Sequence, residues 1–203
     1  MRGAPRSGGS PPTHAERRRR LFFALLPSAA ARAALQTLAH QQAAAPARAV
    51  RAADLHLTLL FLGSVSEAAL PRLRAAAAAV RATPVSVVLR RLERWRGGLL
   101  CATGEATPAL LALHRRLLEA GRNLGLPVDA RALRAHITLA RGLTRAAGAC
   151  DAPVAPIRWR ACSFCLMESL GRPDGGRYTV VGRWPLDRAL DTAAQHDPAP
   201  LEA

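Results

Sequence analysis

Apolar residues in this chain gather in short runs punctuated by Gly, Pro and Arg, and two of the runs carry the same polar insertion. Leu55 to Leu62 and Ala135 to Ala140 each hold a His, one apolar residue and a Thr. Strand side chains alternate between faces, so His56 and Thr58 share one face while Leu57 and Leu59 take the other. His136 and Thr138 stand in the same relation to Ile137 and Leu139.

The remaining pattern predicts alternating strands and helices. A strand is expected over 21–26 and a helix near 29–42, opened by Pro27-Ser28. The first motif strand covers 55–62 and stops at Gly63-Ser64. Ser66 then caps a helix with Glu67 in its first turn, running through Leu70 and Leu73 to Arg81. Val85 to Leu89 has β character, Arg94 to Gly98 reads as a turn, and Leu99 to Gly104 returns as a strand. Thr107-Pro108 starts a helix with Thr as cap and Pro at the first helical position. Leu110, Leu111, Leu113, Leu117 and Leu118 give that helix its apolar face, and Gly121 to Gly125 end it. The second motif strand spans about 135–140. Two β segments, 157–167 and 177–184, flank a turn from Gly171 to Gly176 as a hairpin. Strands outnumber crossover helices, which predicts an α+β fold. The two motif copies lie ~80 positions apart, each among strands and a helix, as two similar lobes would place them.

Composition sets the boundaries. Residues 1–19, rich in Gly, Ser, Pro and Arg, read as a disordered basic leader, 20–187 as the folded domain, and 188–203 as a disordered tail. No apolar run reaches the roughly 18 residues of a membrane span. Arg17 to Arg20 followed by Leu21 to Leu26 imitates a secretory signal, with Ala31-Arg32-Ala33 as a mimic of its cleavage site. The competing reading makes the same apolar run the first strand of a cytoplasmic protein. The formal net charge is +15, and all 29 basic residues are Arg. That suits a polyanionic partner, and equally a codon usage that replaces Lys throughout. Cys101, Cys150, Cys162 and Cys165 lack the paired spacing of a tetrahedral metal site and read as reduced thiols.

A single His-x-Thr reads most simply as a buried strand with one hydrogen-bonded His. With 6 His and 10 Thr among 203 residues, about 0.3 copies are expected by chance. Two copies with matching apolar flanks point instead to paired acid-base chemistry. One neutral imidazole can take a proton from a nucleophile while a protonated one gives a proton to the departing oxygen, since a pKa near ~6.5 keeps both forms accessible. Each Thr hydroxyl, ~6.6 Å along the strand from its His, can bond a phosphate oxygen between the strands. Arg141, just past the second motif, is placed to clamp the charge of a phosphoryl transition state. Arg134 reads as a solvated surface residue or as an added phosphate contact. Phe22, Phe23, Trp95 and Tyr178 are the rings available to stack a base, with core packing the simpler role for at least one Phe. His14, His40, His114 and His196 lack a matching Thr and read as non-catalytic.

These residues resemble the 2H phosphoesterase superfamily, and within it the bacterial and archaeal RNA 2′,3′-cyclic phosphodiesterases formerly described as 2′-5′ RNA ligases. The resemblance covers about residues 20–187. It rests on Arg20-Leu21-Phe22-Phe23-Ala24-Leu25, on His56 to Gly63, on His136-Ile137-Thr138-Leu139-Ala140-Arg141, and on Met167-Glu168-Ser169, Gly176-Arg177-Tyr178 and Arg183-Trp184-Pro185-Leu186. It implies two pseudo-symmetric lobes, each an antiparallel sheet with helices on its outer side, and an active-site cleft between them. It further implies hydrolysis of 2′,3′-cyclic phosphate ends of RNA to 2′-phosphomonoesters by a monomer, without metal or cofactor. His56 would be the proton donor, His136 the proton acceptor, Thr58, Thr138 and Arg141 the phosphate contacts, and Phe22 and Tyr178 the base-stacking rings. Reversible 2′-5′ joining of RNA ends, as on tRNA fragments, and a non-catalytic RNA- or nucleotide-binding module are the alternatives. One departure stands out: Ala135 occupies the place where the family commonly has Pro, which alters the approach to the second motif strand.

Overall fold

The computed structural model describes residues 17–42, 47–143, 152–171 and 177–187. Most of the expected leader, the body of the 171–176 turn, the tail, Cys150, His14 and His196 lie outside them. In chain order the elements are β1 (Arg18–Leu25), α1 (Ala29–Gln42), β2 (Arg48–Ala49), β3 (Leu57–Ser66), α2 (Leu70–Ala79), β4 (Val85–Trp95), β5 (Leu99–Gly104), α3 (Pro108–Asn123), β6 (His136–Arg141), β7 (Ala152–Ala161), β8 (Ser163–Ser169) and β9 (Tyr178–Pro185).

The strands form one antiparallel sheet in the order β7-β4-β5-β6-β3-β1-β8-β9, with β2 against β6. Its middle is thin. The two motif strands β3 and β6 pair only at Leu57 and Ile137, whereas every neighbouring pair runs over several residues. The sheet therefore divides into two four-stranded lobes hinged at the motifs. A pseudo-twofold axis through Leu57 and Ile137 relates β1-α1-β3 to β5-α3-β6. Both helices cross the seam, α1 packing on β6 and β7 of the other lobe while α3 packs on β3 and also on β4 of its own lobe. Only Cys162 separates the end of β7 from the start of β8. In a flat sheet those strands would lie six spacings, ~29 Å, apart, and such a short link reaches about 7 Å. The sheet must fold along the β3–β6 seam, which is how a cleft arises.

One apolar cluster holds the lobes together. Leu21, Phe23, Leu25, Leu57, Leu59, Ile137 and Leu139 from the strands join Leu35, Leu73, Leu110, Leu113 and Leu117 from the helices, all nearly inaccessible. The alternation read from the sequence thus holds: the odd-numbered motif residues are core, and the His-Thr positions face away from it. Phe22, Ala24, Cys165 and Met167 make a smaller cluster on that opposite face.

Several elements depart from the sequence pattern. β4 runs to Trp95 instead of stopping at Leu89, because a bulge at Arg90 absorbs two consecutive Arg without ending the strand. Gly104 permits it: a Cβ there would lie 1.9 Å from the Val88 carbonyl oxygen. β3 continues past Gly63, which takes φ +69° in a shifted register that a side chain would strain. Ser66 precedes a short 3₁₀ turn, Glu67–Ala69, and makes no side-chain cap bond to it. Thr107 does cap α3, accepting from the Leu110 amide at 3.4 Å. The expected strand 157–167 is two strands broken at Cys162 and placed in different lobes, whereas β8 and β9 form the expected hairpin. The signal-like run lies in β1 between β3 and β8, with Leu21 to Leu25 at most 3% exposed. Among the described residues no helix is long and apolar enough to cross a membrane.

Candidate active site

The Leu57–Ile137 pair fixes the relation between the motifs. Carrying its antiparallel register one residue either way sets His56 on the side of Thr138 and Thr58 on the side of His136. Four side chains that were two sequence repeats become one group about a twofold axis.

Both imidazoles are held in the same manner. Nδ1 of His56 lies 2.6 Å from the carbonyl oxygen of Asp54, and Nδ1 of His136 lies 2.8 Å from that of Arg134. A carbonyl only accepts, so each Nδ1 carries the proton and each Nε2 is left to exchange protons with a ligand. Rings complete the walls. His56 packs against Phe22 at 4.9 Å and Tyr178 at 4.8 Å, and His136 against Trp95 at 4.3 Å between centroids.

A cleft of about 500 Å³ straddles the seam. Thr58 to Phe61 line it from one lobe, and Trp95, Leu99, His136, Thr138 and Arg141 from the other, with Arg134 and the preceding loop on its rim. Arg141 donates through Nη2 to the Tyr178 hydroxyl at 3.4 Å, while its buried Nε has no partner. Arg141 lines the cleft with His136 and its charge acts on His56, which puts a cation able to bond phosphate beside the motifs. Phe22, 3% exposed, reaches the surface with Tyr178 in a smaller pocket of about 140 Å³ that also includes Arg20, Phe61, Gly63 and Ser169.

Two residues escaped the sequence, Asp54 and Glu93. Asp54 is 3% exposed, holds His56 through its carbonyl, and accepts from the Arg177 amide through its carboxylate at 3.4 Å. Glu93 gathers Trp95, Thr103 and Arg134 at 2.7 to 2.8 Å, and Arg134 lies over the Trp95 ring at 4.3 Å. Arg134 is thus ion-paired and stacked as well as exposed, while its carbonyl orients His136. A backbone acceptor imposes no residue type, so neither hold was legible. His114 also lines the cleft, yet its Nδ1–H is committed to the Leu59 carbonyl at 2.8 Å. Cys101 sits beside Thr138, with burial pushing its thiol up to about 11, so it stays protonated.

Burial sets the imidazole charges in the free site. It pushes His56 down to about 4, with Arg141 and His136 adding repulsion and the Asp54 carbonyl and carboxylate opposing it. His136 is lowered as well, again chiefly by burial. Unfolded His binds its proton near ~6.5, so between that pH and about 4 the unfolded chain holds more protons than the fold. Stability is therefore fully present above that window and is lost as pH falls through it, by on the order of 3 kcal/mol for His56. Melting temperatures from pH 7 to pH 5 are expected to fall more steeply for the native protein than for His56→Gln. Parallel curves would show that His56 is not buried in its neutral form.

The comparisons with known proteins agree with this architecture. A model of the 2′-5′ RNA ligase superfamily matches residues 26–173. E. coli LigT, solved with 3′-AMP, is 27% identical with a TM-score of 0.75, the match covering 84% of this chain and 99% of that one. TT0787 of Thermus thermophilus is 28% identical with a TM-score of 0.73, covering 83% and 98%. The MHV ns2 PDE domain shares the fold at 15% identity and a TM-score of 0.50, covering 75% and 99%. No curated protein matches the chain. With its paired motif strands and a family match over most of its length, this chain belongs to the 2′-5′ RNA ligase superfamily, the 2H phosphoesterases.

Proposed function

We propose that the protein hydrolyses 2′,3′-cyclic phosphate ends of RNA to 2′-phosphomonoesters, acting as a cytoplasmic monomer and needing no metal or cofactor. The observation that carries this reading is the pair of imidazoles with Nδ1–H pinned and Nε2 free, each on the side of the other copy's Thr. Such a pair suits in-line displacement at one phosphorus.

In this mechanism Nε2 of His136 removes a proton from water as its oxygen bonds to phosphorus. The bond from phosphorus to the ribose 3′ oxygen breaks, and Nε2–H of His56 protonates that oxygen. The products are a 2′-phosphate and a free 3′ hydroxyl, with His136 left protonated and His56 neutral until solvent resets them. Thr58 and Thr138 donate to the non-bridging oxygens, and Arg141 opposes their growing charge. His56 is neutral in the free site, so the acid role depends on the substrate. The phosphate anion offsets the burial penalty and the repulsion from Arg141, raising the proton affinity of His56 on binding. The base rests on Tyr178 with Phe22 behind it. LigT was solved with 3′-AMP, ATP, NADP+ and phosphate, ligands of the same phosphate and nucleotide chemistry.

The test is product analysis of a cyclic-phosphate oligonucleotide incubated with the protein in EDTA. A 2′-phosphate product is expected. A 3′-phosphate would reverse the assignment of the leaving oxygen, and absence of turnover would leave a binding module. If fragments with 5′-hydroxyl ends are joined through 2′-5′ linkages faster than cyclic ends are opened, a ribose hydroxyl rather than water is the physiological nucleophile.

A further inference from the structure

The two imidazoles are held alike and surrounded unlike. Asp54 and Arg134 stand at the same place in the two copies, two residues before the His, and each lends its carbonyl to Nδ1. In the first copy that residue also brings a carboxylate, which raises the proton affinity of His56 against the effect of burial. In the second it brings a guanidinium, which lowers that of His136. A carboxylate for the second copy comes from elsewhere. Glu93 on β4 accepts through Oε2 from Trp95 Nε1 at 2.8 Å and from Arg134 Nη2 at 2.7 Å, and through Oε1 from the Thr103 hydroxyl at 2.8 Å. Each of these donors adjoins His136. Thr103 is its cross-strand partner on β5, the Trp95 ring lies 4.3 Å from the imidazole, and Arg134 supplies the carbonyl that holds Nδ1. The Arg134 guanidinium lies back over the Trp95 ring at 4.3 Å, so the clamp closes on itself. Bonds from Trp95, Thr103 and Arg134 hold the Glu93 carboxyl below its usual range, so it is ionised wherever His136 titrates.

We propose that Glu93 is the positioning residue of the base: it locks the ring wall and the backbone acceptor that aim His136, and it supplies the negative charge beside which that imidazole takes a proton. The proposal rests on the phosphodiesterase reading for the role of His136 and adds to it a residue that acts only through others. A base becomes charged as it reacts. Burial and the Arg134 guanidinium both oppose positive charge on His136, and Glu93 is the acid whose charge favours it. The other ionisable groups around the ring do not replace it. Cys101 on β5 stays protonated, and Asp129 and Arg131 on the cleft wall are paired with each other. His56 beside β3, Arg141 on β6, Arg48 on β2 and Arg91 on β4 bring no negative charge. Glutamine at position 93 separates the two parts of the role. Its carbonyl oxygen can keep the Trp95 and Arg134 bonds, and its amide can donate to the Thr103 hydroxyl, which accepts as well as donates. Only the charge is lost. Alanine removes clamp and charge together.

The experiment follows the titration of the His136 imidazole by NMR in the full chain, its signal assigned by loss in His136→Gln, beside the pH profile of kcat/KM for a cyclic-phosphate substrate. In Glu93→Gln the His136 midpoint is expected to move to lower pH, and the acid limb of the profile with it, because the Arg134 charge is left unopposed. In Glu93→Gln/Arg134→Gln both are expected to return toward the native position. Glu93→Ala is expected to lower kcat by about ten- to a hundredfold with KM changed by less than about threefold, as misplacement of a catalytic group does. Glu93→Gln should lose less. A carboxylate with a purely structural role would change the melting temperature and leave the titration where it was. An unmoved midpoint in Glu93→Gln, or a double variant that titrates as low as the single one, therefore overturns the proposal whatever the rates. So does a Glu93→Ala protein whose loss lies in KM. If Glu93→Ala does not fold, the two Gln variants decide. Absence of turnover in the native protein overturns the phosphodiesterase reading alone, because the imidazole titration is read without substrate.

Discussion

His56→Ala and His136→Ala are each expected to lower kcat for cyclic-phosphate opening by about a thousandfold, within the 10²–10⁴ range of general acid-base catalysis. The two losses should differ in kind. His136 is proposed to activate water, so its removal harms every substrate that water attacks. His56 is proposed to protonate the leaving oxygen, and that assistance is dispensable when the leaving group is already stable as an anion. A phosphodiester with a nitrophenolate leaving group should therefore recover most of the activity of His56→Ala and none of that of His136→Ala. Recovery in the opposite variant would exchange the two roles, which the near-twofold symmetry of the site makes a real alternative. Because His56 supports Phe22 and Tyr178, and His136 supports Trp95, each variant's melting temperature must be read beside its rate. Absence of turnover in the native protein, with affinity for RNA retained in the double variant, would mark a binding module.

Arg141→Gln is expected to cost 10²- to 10³-fold in kcat, about 2.7–4 kcal/mol of transition-state stabilisation. Two effects of this residue oppose each other. Its charge lowers the proton affinity of His56 in the free site, so its removal makes the proposed acid easier to protonate. Its buried Nε has no partner in the free protein, so removal also relieves an unsatisfied donor. Both would favour the variant before substrate binds. The phosphoryl transition state reverses the balance, since it concentrates negative charge beside the guanidinium. The variant should melt at or above the native temperature and lose the stabilisation that inorganic phosphate gives the native protein. Arg141→Lys should recover only part of the rate, because a point charge replaces a planar fork of donors. A rate within threefold of native for Arg141→Gln would remove Arg141 from the phosphate site.

These outcomes rest on features of unequal legibility. β1, α1, β5 and α3 follow from local signals: an apolar run, an Ala-rich stretch after Pro27-Ser28, a strand between Gly-rich turns, and a Thr-Pro start with leucines at helical spacing. Each is decided by neighbours a few residues away. The His-Thr faces were equally readable, because strand alternation has a fixed period of two. Arg90-Arg91 breaks that period within β4, and a bulge is visible only once a partner strand is known. The division between β7 and β8 was hidden for a different reason. Residues 157–167 keep β character throughout, and the break at Cys162 exists because the chain passes there from one lobe to the other.

The sequence alone determined the residue pattern: two histidines and two threonines at a spacing that puts each His-Thr pair on one side of its strand, an arginine just beyond the second pair, and the family to which that pattern belongs. Only the tertiary structure decided how the copies meet. A single bridge between Leu57 and Ile137 turns two distant repeats into one twofold site, and folding of the sheet along that seam opens the cleft. Carbonyls of Asp54 and Arg134 fix which ring nitrogens carry the proton, and burial lowers the proton affinity of both rings. Register and burial depend on contacts between residues far apart in the chain, and backbone acceptors leave no mark on residue type.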